Sequence, residues 1–365
     1  MLLLRSTRES RAIGLMRFPL ACLIVLLHTG VNCGPENFIW YFPNIICAPI
    51  VQLAVPSFFF ISGYLFFIGK NQFGLAEYKT AMRKKAKSLL MPYLIWNIVA
   101  YLSSVALSYY TTRSMGDVMP WELHRIFWAN GDGIVTTSYL GYQYPALVSP
   151  AAGVLWFMRD LMVMMVCSIV AYRVVKLLKW WLFLVLFILN AFKIGIPFPG
   201  FSLAAVSFFY MGAFFSIHDI DVFAWLKKVW QKCAYLVWPI LYVTQMLLKS
   251  FDIKIGNWFN LICLIGGIVF VFVVAYDLAD KHDKTILKIR KWGETSFFIY
   301  TFANTLFIWA INKEPSYLLD SIPYIGPTLC YLFQFTIRIA ESVAVYYLMK
   351  RYSPRLLSIL IGRRI

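Results

Sequence analysis

Ten stretches of this chain are apolar over a length that crosses a bilayer, and nothing else in the sequence constrains its fold as tightly. They fall near residues 13–31, 45–69, 88–110, 154–173, 180–196, 200–217, 233–249, 257–277, 294–312 and 325–349. A hydrocarbon core of about 30 Å needs about 20 helical residues. Lipid accepts only helices and closed barrels, because every backbone polar group must be bonded internally. The runs are continuous rather than alternating, which selects helices. The expected fold class is an all-α integral membrane protein, a bundle of about ten transmembrane helices in one domain over residues 1–365. Only 14% of residues are charged, against about 25% in soluble domains.

A net charge of +17 would by itself suggest a nucleic-acid partner, but the placement of lysine and arginine argues for topology instead. Basic residues crowd the amino tail and alternate loops: Arg5, Arg8 and Arg11, then clusters within 70–87, 173–179, 227–232, 281–291 and 350–364. The opposite loops hold only Arg113, Arg125, Lys193, Lys249, Lys254 and Lys313, while Arg17, Arg159 and Arg338 lie within helices. The positive-inside rule then makes both termini cytoplasmic, a pattern that fits a bacterial inner membrane. No cleavable signal peptide is visible, so the first run reads as a permanent helix. Seven scattered cysteines show no CxxC pair. They read as free thiols, with Cys33 and Cys47 as the alternative outward-facing pair.

Most loops are short. The exception spans 111–153, an outward loop carrying Asp117, Trp121, Glu122, His124, Trp128, Asp132 and tyrosines 139, 142 and 144. Long loops often bind ligands, and aromatics mixed with carboxylates suit a sugar; an interfacial aromatic belt is the alternative. No phosphate loop, dinucleotide fingerprint, metal motif or nucleophile elbow is present. His218 and His282 read as surface residues on the cytoplasmic side.

The strongest constellation is Arg17 and His28, eleven residues apart in one apolar run. On a helix that spacing returns to nearly the same face and separates the groups by roughly 16 Å. Ionisable groups within a bilayer are costly unless they face a polar cavity, so the pair argues for one, with snorkelling to the interface the alternative for Arg17 alone. In the second run, Pro56 frees a carbonyl and Ser62-Gly63 permits close helix approach, either for packing or for lining a cavity. Arg83, Lys84, Lys85 and Lys87 would face anionic lipid or a phosphorylated donor. Trp156, Arg159 and Asp160 open the fourth run at a depth similar to His28. Arg338 and Glu341, three residues apart, read as an internal ion pair locking two helices.

The ordered set then becomes recognisable. Arg17 and His28 are followed by Pro56-Ser57-Phe58-Phe59-Phe60-Ile61-Ser62-Gly63-Tyr64-Leu65, by Pro92-Tyr93 and Trp96 after the basic cluster, by Leu155-Trp156-Phe157, and by a close from Leu356 to Arg364. Over nearly its whole length the chain resembles the acyltransferase-3 family of integral membrane acyltransferases. The resemblance implies transfer of an acyl group, most often acetyl, from cytoplasmic acetyl-CoA or another acyl-CoA to a hydroxyl of an extracytoplasmic glycan or lipid-linked sugar. It implies His28 as the essential histidine and Arg17 as its basic partner; with no Cys/His cluster at metal-ligand spacing, no metal is expected. Two departures stand out: Gly14 where many members carry Asp, and Ala303 where many carry His. With no fused soluble transferase domain read from this sequence, the resemblance leads us to expect direct transfer.

On this reading Arg17, Arg83, Lys84, Lys85, Ser62 and Tyr64 bind the donor, and Trp156, Arg159 and Asp160 bind the acceptor. His28 is the general base or, alternatively, an acyl carrier, and Arg159 steadies the oxyanion. A secondary carrier or glycan exporter is the competing class, and a non-catalytic scaffold a third.

Overall fold

The computed structural model describes residues 7–362 apart from 31–32, 71, 113–121, 130–135, 140–141, 146–148, 197, 255 and 282. The helices run α1 (Thr7–Leu27), α2 (Phe38–Tyr41), α3 (Ala48–Val51), α4 (Ala54–Phe67), α5 (Leu75–Lys85), α6 (Met91–Thr112), α7 (Leu123–Phe127), α8 (Trp156–Val166) and α9 (Ser168–Leu178). They continue as α10 (Trp181–Ala191), α11 (Leu203–Ile217), α12 (Val222–Ser250), α13 (Asn257–Leu278), α14 (Lys284–Trp292), α15 (Ser296–Phe302), α16 (Leu306–Asp320), α17 (Gly326–Tyr352) and α18 (Pro354–Ile361). The all-α expectation has one departure within the long loop. There β1 (Thr136–Tyr139) and β2 (Tyr142–Pro145) pair antiparallel, Thr136 opposite Pro145 and Tyr139 opposite Tyr142. Asp117, Trp121 and Asp132 of that loop lie outside the described residues.

Five stretches are long and apolar enough to cross a membrane unaided: 7–27, 38–67, 75–110, 257–278 and 326–352. Two further pairs qualify only as bent spans, α8 with α9 at 72° and α11 with the start of α12 at 98°. Against the ten expected, the structure supports five to seven, and the local causes are visible. Between α11 and α12 the backbone turns left-handed at Asp219 (φ 60°), and Asp221 then accepts from the amides of Phe223 and Ala224 to start a new helix. The expected ninth span breaks where Thr305 caps α16 through the Ile308 amide. The expected fifth span is only the 11-residue α10, about half of what a crossing needs.

The tightest packing joins α4 to α11. A β-carbon built on Gly63 would collide with the carbonyl of Phe209, and one on Gly212 with the carbonyl of Phe60. The two backbones meet through reciprocal glycines, as small residues allow in membranes. Gly63 therefore serves packing. Around the contact lies an aromatic core in which Phe60 meets Phe272 edge-on at 5.2 Å and Phe67 meets Phe73 at 5.0 Å, arrangements that ring quadrupoles favour.

α1 is the central helix, touching α4, α13, α14, α15 and α17. Ala12, Leu20, Ala21 and Val25 are fully enclosed or nearly so, and the helix stays unbroken through Pro19. At its start Arg8 and Arg11 pair with Asp280 at 3.0 and 3.2 Å, while Lys227 and Tyr235 of α12 reach Asp277. The basic starts of α1 and α12 and the acidic end of α13 thus share one end of the bundle. The seven cysteines are free thiols, Cys33 and Cys47 included.

Candidate active site

Arg17, Ser62 and Lys85, far apart in sequence, line one cavity of about 320 Å³. α1 supplies Arg17 and, two turns on along the same face, Ile24. Seven residues return a helix to nearly its starting angle, so the cavity follows a single stripe of α1 toward His28. Phe58, Phe157, Leu161 and Phe297 give it apolar walls, and Tyr300 closes one side. Glu294 also lines it, and accepts from Lys350 Nζ at 2.9 Å. Ile361 and Gly362 complete the wall from the far end of the chain. Gly362 takes a left-handed φ of 63°, and its Cα packs on the Ser88 carbonyl so closely that no β-carbon fits.

The two departures from the family pattern have physical correlates. A β-carbon at Gly14 would lie 3.3 Å from Arg290 Cγ, and the Gly14 carbonyl packs against Gly293; α14 occupies the space a larger side chain would take. Ala303 is buried in a small apolar cluster with Ala21, Val25 and Ile299, directly beneath the His28 turn, whose amide bonds the Val25 carbonyl at 3.1 Å.

A second chamber of about 370 Å³ adjoins the first and shares Leu65 and Lys85 with it. Lys70, Thr80 and Lys84 line it. Lys70 sits over the rings of Phe66 and Phe73, 4.1 and 4.9 Å from their centroids, and donates to the Phe66 carbonyl. Burial, reinforced by the charges of Lys85 and Lys84, pulls its pKa down to about 8. Sequence reasoning missed Lys70; its signal was a lone cation closing an apolar run. Of the expected donor residues, Arg83 is exposed and lies outside both linings, and Tyr64 is enclosed against α11, whose Ser216 donates to its carbonyl.

His28 lies in the turn immediately after α1 rather than within the helix, with an exposed side chain. Its carbonyl accepts a hydrogen bond from Arg338 Nη1 at 3.2 Å, a cation placed where helix ends favour one. Partial desolvation, then the Arg338 charge, lowers the imidazole pKa below its ordinary value. That keeps the ring neutral at pH 7, as a base requires. Arg338 does not form the expected ion pair with Glu341. Asn312 holds that carboxylate at 2.9 Å, and Arg338 turns to His28 and Gln334, leaving Nε without a hydrogen-bond partner.

Arg159 and Asp160 are bound to each other. Arg159 is 1% exposed and Asp160 0%, their Nε–Oδ1 and Nη2–Oδ1 separations are 3.0 and 2.9 Å, and both reach backbone on other segments, at Trp128 and Ser202. No contact joins them to His28 among the described residues. Trp156 packs near Phe59, with ring centroids 6.3 Å apart, and lines neither chamber.

A family model described as an acyltransferase domain matches residues 10–347. The chain belongs to the acyltransferase-3 family and is a membrane-embedded transferase enzyme. No curated protein and no solved structure matches it.

Proposed function

We propose that this protein takes an acyl group, acetyl foremost, from cytoplasmic acyl-CoA and transfers it to a hydroxyl of an extracytoplasmic or lipid-linked glycan in a bacterial inner membrane. The observation that carries the reading is the single cavity lined by Arg17, Ser62 and Lys85 and reaching Ile24, one turn below His28. The donor's phosphates engage Arg17, Lys85 and the adjoining lysines, charge-assisted contacts of the strong kind. Its pantetheine arm lies along the apolar walls, bringing the thioester toward the far end of α1. With the basic loops inside, that end faces the acceptor side.

His28 then accepts the proton of the acceptor hydroxyl as its oxygen bonds to the thioester carbonyl carbon. The carbon–sulfur bond breaks, and the leaving CoA thiolate takes up the proton from imidazolium. General-base catalysis of this kind contributes about 10²- to 10⁴-fold.

The test is release of CoA thiol from acetyl-CoA by the purified protein in lipid, with cell-envelope glycans as acceptor. Thiol release and label on glycan should fall by about 10²-fold or more in His28→Ala. Transfer persisting in a folded His28→Ala protein rules out the base assignment, and sugar flux without CoA turnover would make the protein a carrier.

A further inference from the structure

A polar pocket of about 420 Å³ is lined by residues on both sides of His28 in the chain. Leu27, Thr29 and Gly30, the residues flanking His28, form one wall. The segment from Trp40 to Gln52 forms the second, and Lys249 at the end of α12 the third. Ile24, which lines the donor cavity, lies two residues before Leu26, the first residue of this pocket's lining, and His28 sits within the stretch 26–30 that supplies that wall without itself lining either chamber.

The lining chemistry is specific. Trp40 offers an aromatic face. Asn44 has committed its amide nitrogen to the Trp40 carbonyl at 2.9 Å, which leaves its oxygen to accept from a hydroxyl. Gln52 brings a second amide. Lys249 is the one charged group of the lining and forms no ion pair among the described residues, unlike Arg8, Lys227 and Lys350, which all have carboxylate partners. An aromatic plate, two amides and an unneutralised cation in a pocket of ligand size match a polyhydroxylated anion.

We propose that this pocket binds the acceptor and that the acceptor unit is an acidic sugar, its ring on Trp40, its hydroxyls on Asn44 and Gln52, and its carboxylate or phosphate on Lys249. The assignment rests on the acyl-transfer reading for the word acceptor, though not for the pocket's ligand. It moves acceptor binding away from Arg159 and Asp160, which are enclosed and paired to each other.

Gly30 provides a gentle way to close the pocket. A β-carbon there meets nothing within 4 Å, so Gly30→Trp brings an indole to the pocket wall from a position with room at the backbone. The experiment measures equilibrium binding of three probes to the full chain in lipid nanodiscs: a uronic-acid tetrasaccharide, its neutral counterpart and a sugar phosphate. Wild type, Lys249→Gln and Gly30→Trp are compared, each checked for folding by its melting temperature. Acidic probes should bind about 10-fold more tightly than the neutral one. Lys249→Gln should erase that preference, Gly30→Trp should abolish binding, and the stronger of the two acidic probes identifies the anionic group.

Equal affinity for neutral and acidic probes, a preference that survives Lys249→Gln, or undiminished binding by Gly30→Trp overturns the proposal. Measuring CoA thiol release on the same samples separates the two readings. Lys249-dependent sugar binding without CoA turnover sustains the pocket and sinks the CoA-dependent transfer. CoA-dependent acylation with no acidic preference does the reverse.

Discussion

Two arginines buried within the helices of this protein, Arg159 and Arg338, look alike in sequence and do opposite things. Each has an acidic residue within one helical turn in an apolar run, and both are nearly inaccessible, 1% and 7% exposed. Arg159 meets its neighbour Asp160 at 2.9 Å and spends further donors on the backbone of Trp128. Arg338 loses its neighbour Glu341 to Asn312 and turns to the His28 carbonyl instead. The first, with Asp160 accepting from the Ser202 amide, forms a pair that joins three segments of the fold. The second reaches the end of α1, where the chemistry is proposed to occur. A buried cation's role is thus decided by who holds its nearest carboxylate, which adjacency in sequence does not reveal.

The sharpest way to break this contrast is to remove each charge. Arg159→Leu leaves Asp160 enclosed without its partner and should cost about 3–5 kcal/mol, read as a large fall in melting temperature. Replacing both residues by leucine should recover most of that loss and, with it, activity. A double variant that melts normally yet fails to transfer would return Arg159 to the chemistry.

Arg338→Gln should act in the opposite manner, with a smaller loss of stability and a fall in kcat of up to about 10²-fold, the effect of misplacing a reacting group by about 1 Å. The sign of its pH effect is fixed. Arg338 pulls the His28 pKa down, so removing it lets that pKa rise, and the acid limb of kcat/KM should move to higher pH. An unmoved acid limb would mean that His28 does not report on Arg338.

Lys70 gives the smallest and most selective prediction. It carries a proton below about 8 and loses it above, and only the charged form attracts phosphate. Donor affinity should therefore weaken as pH rises from 7 to 9, by about 10-fold, equivalent to about 1.4 kcal/mol. In Lys70→Gln the affinity should be lower at pH 7 and flat across that range. Titration of CoA into both proteins decides it.

The sequence carried part of this picture. Arg17, Ser62 and Lys85 were legible because helical spacing and small-residue motifs are local, and the structure unites them in one cavity. The breaks at Asp219 and Thr305 were not, since each depends on a single backbone angle or cap that hydropathy does not register. His28 reads as intramembrane by run length, but α1 ends at Leu27 and places it in the following turn. Glu294, Tyr300, Gly362 and Arg338 entered the site only through contacts between distant segments.

One consequence concerns the order in which a ribosome delivers these parts. Arg17 emerges early and Gly362 late, yet both face the same chamber, and α18 docks on α6 with Trp96 Nε1 bonding the Leu360 carbonyl at 3.1 Å. Until those late residues have been synthesised and docked, the nascent protein has a basic groove without its final wall. A chain lacking its last helix would therefore hold the earlier walls of the chamber with one side open.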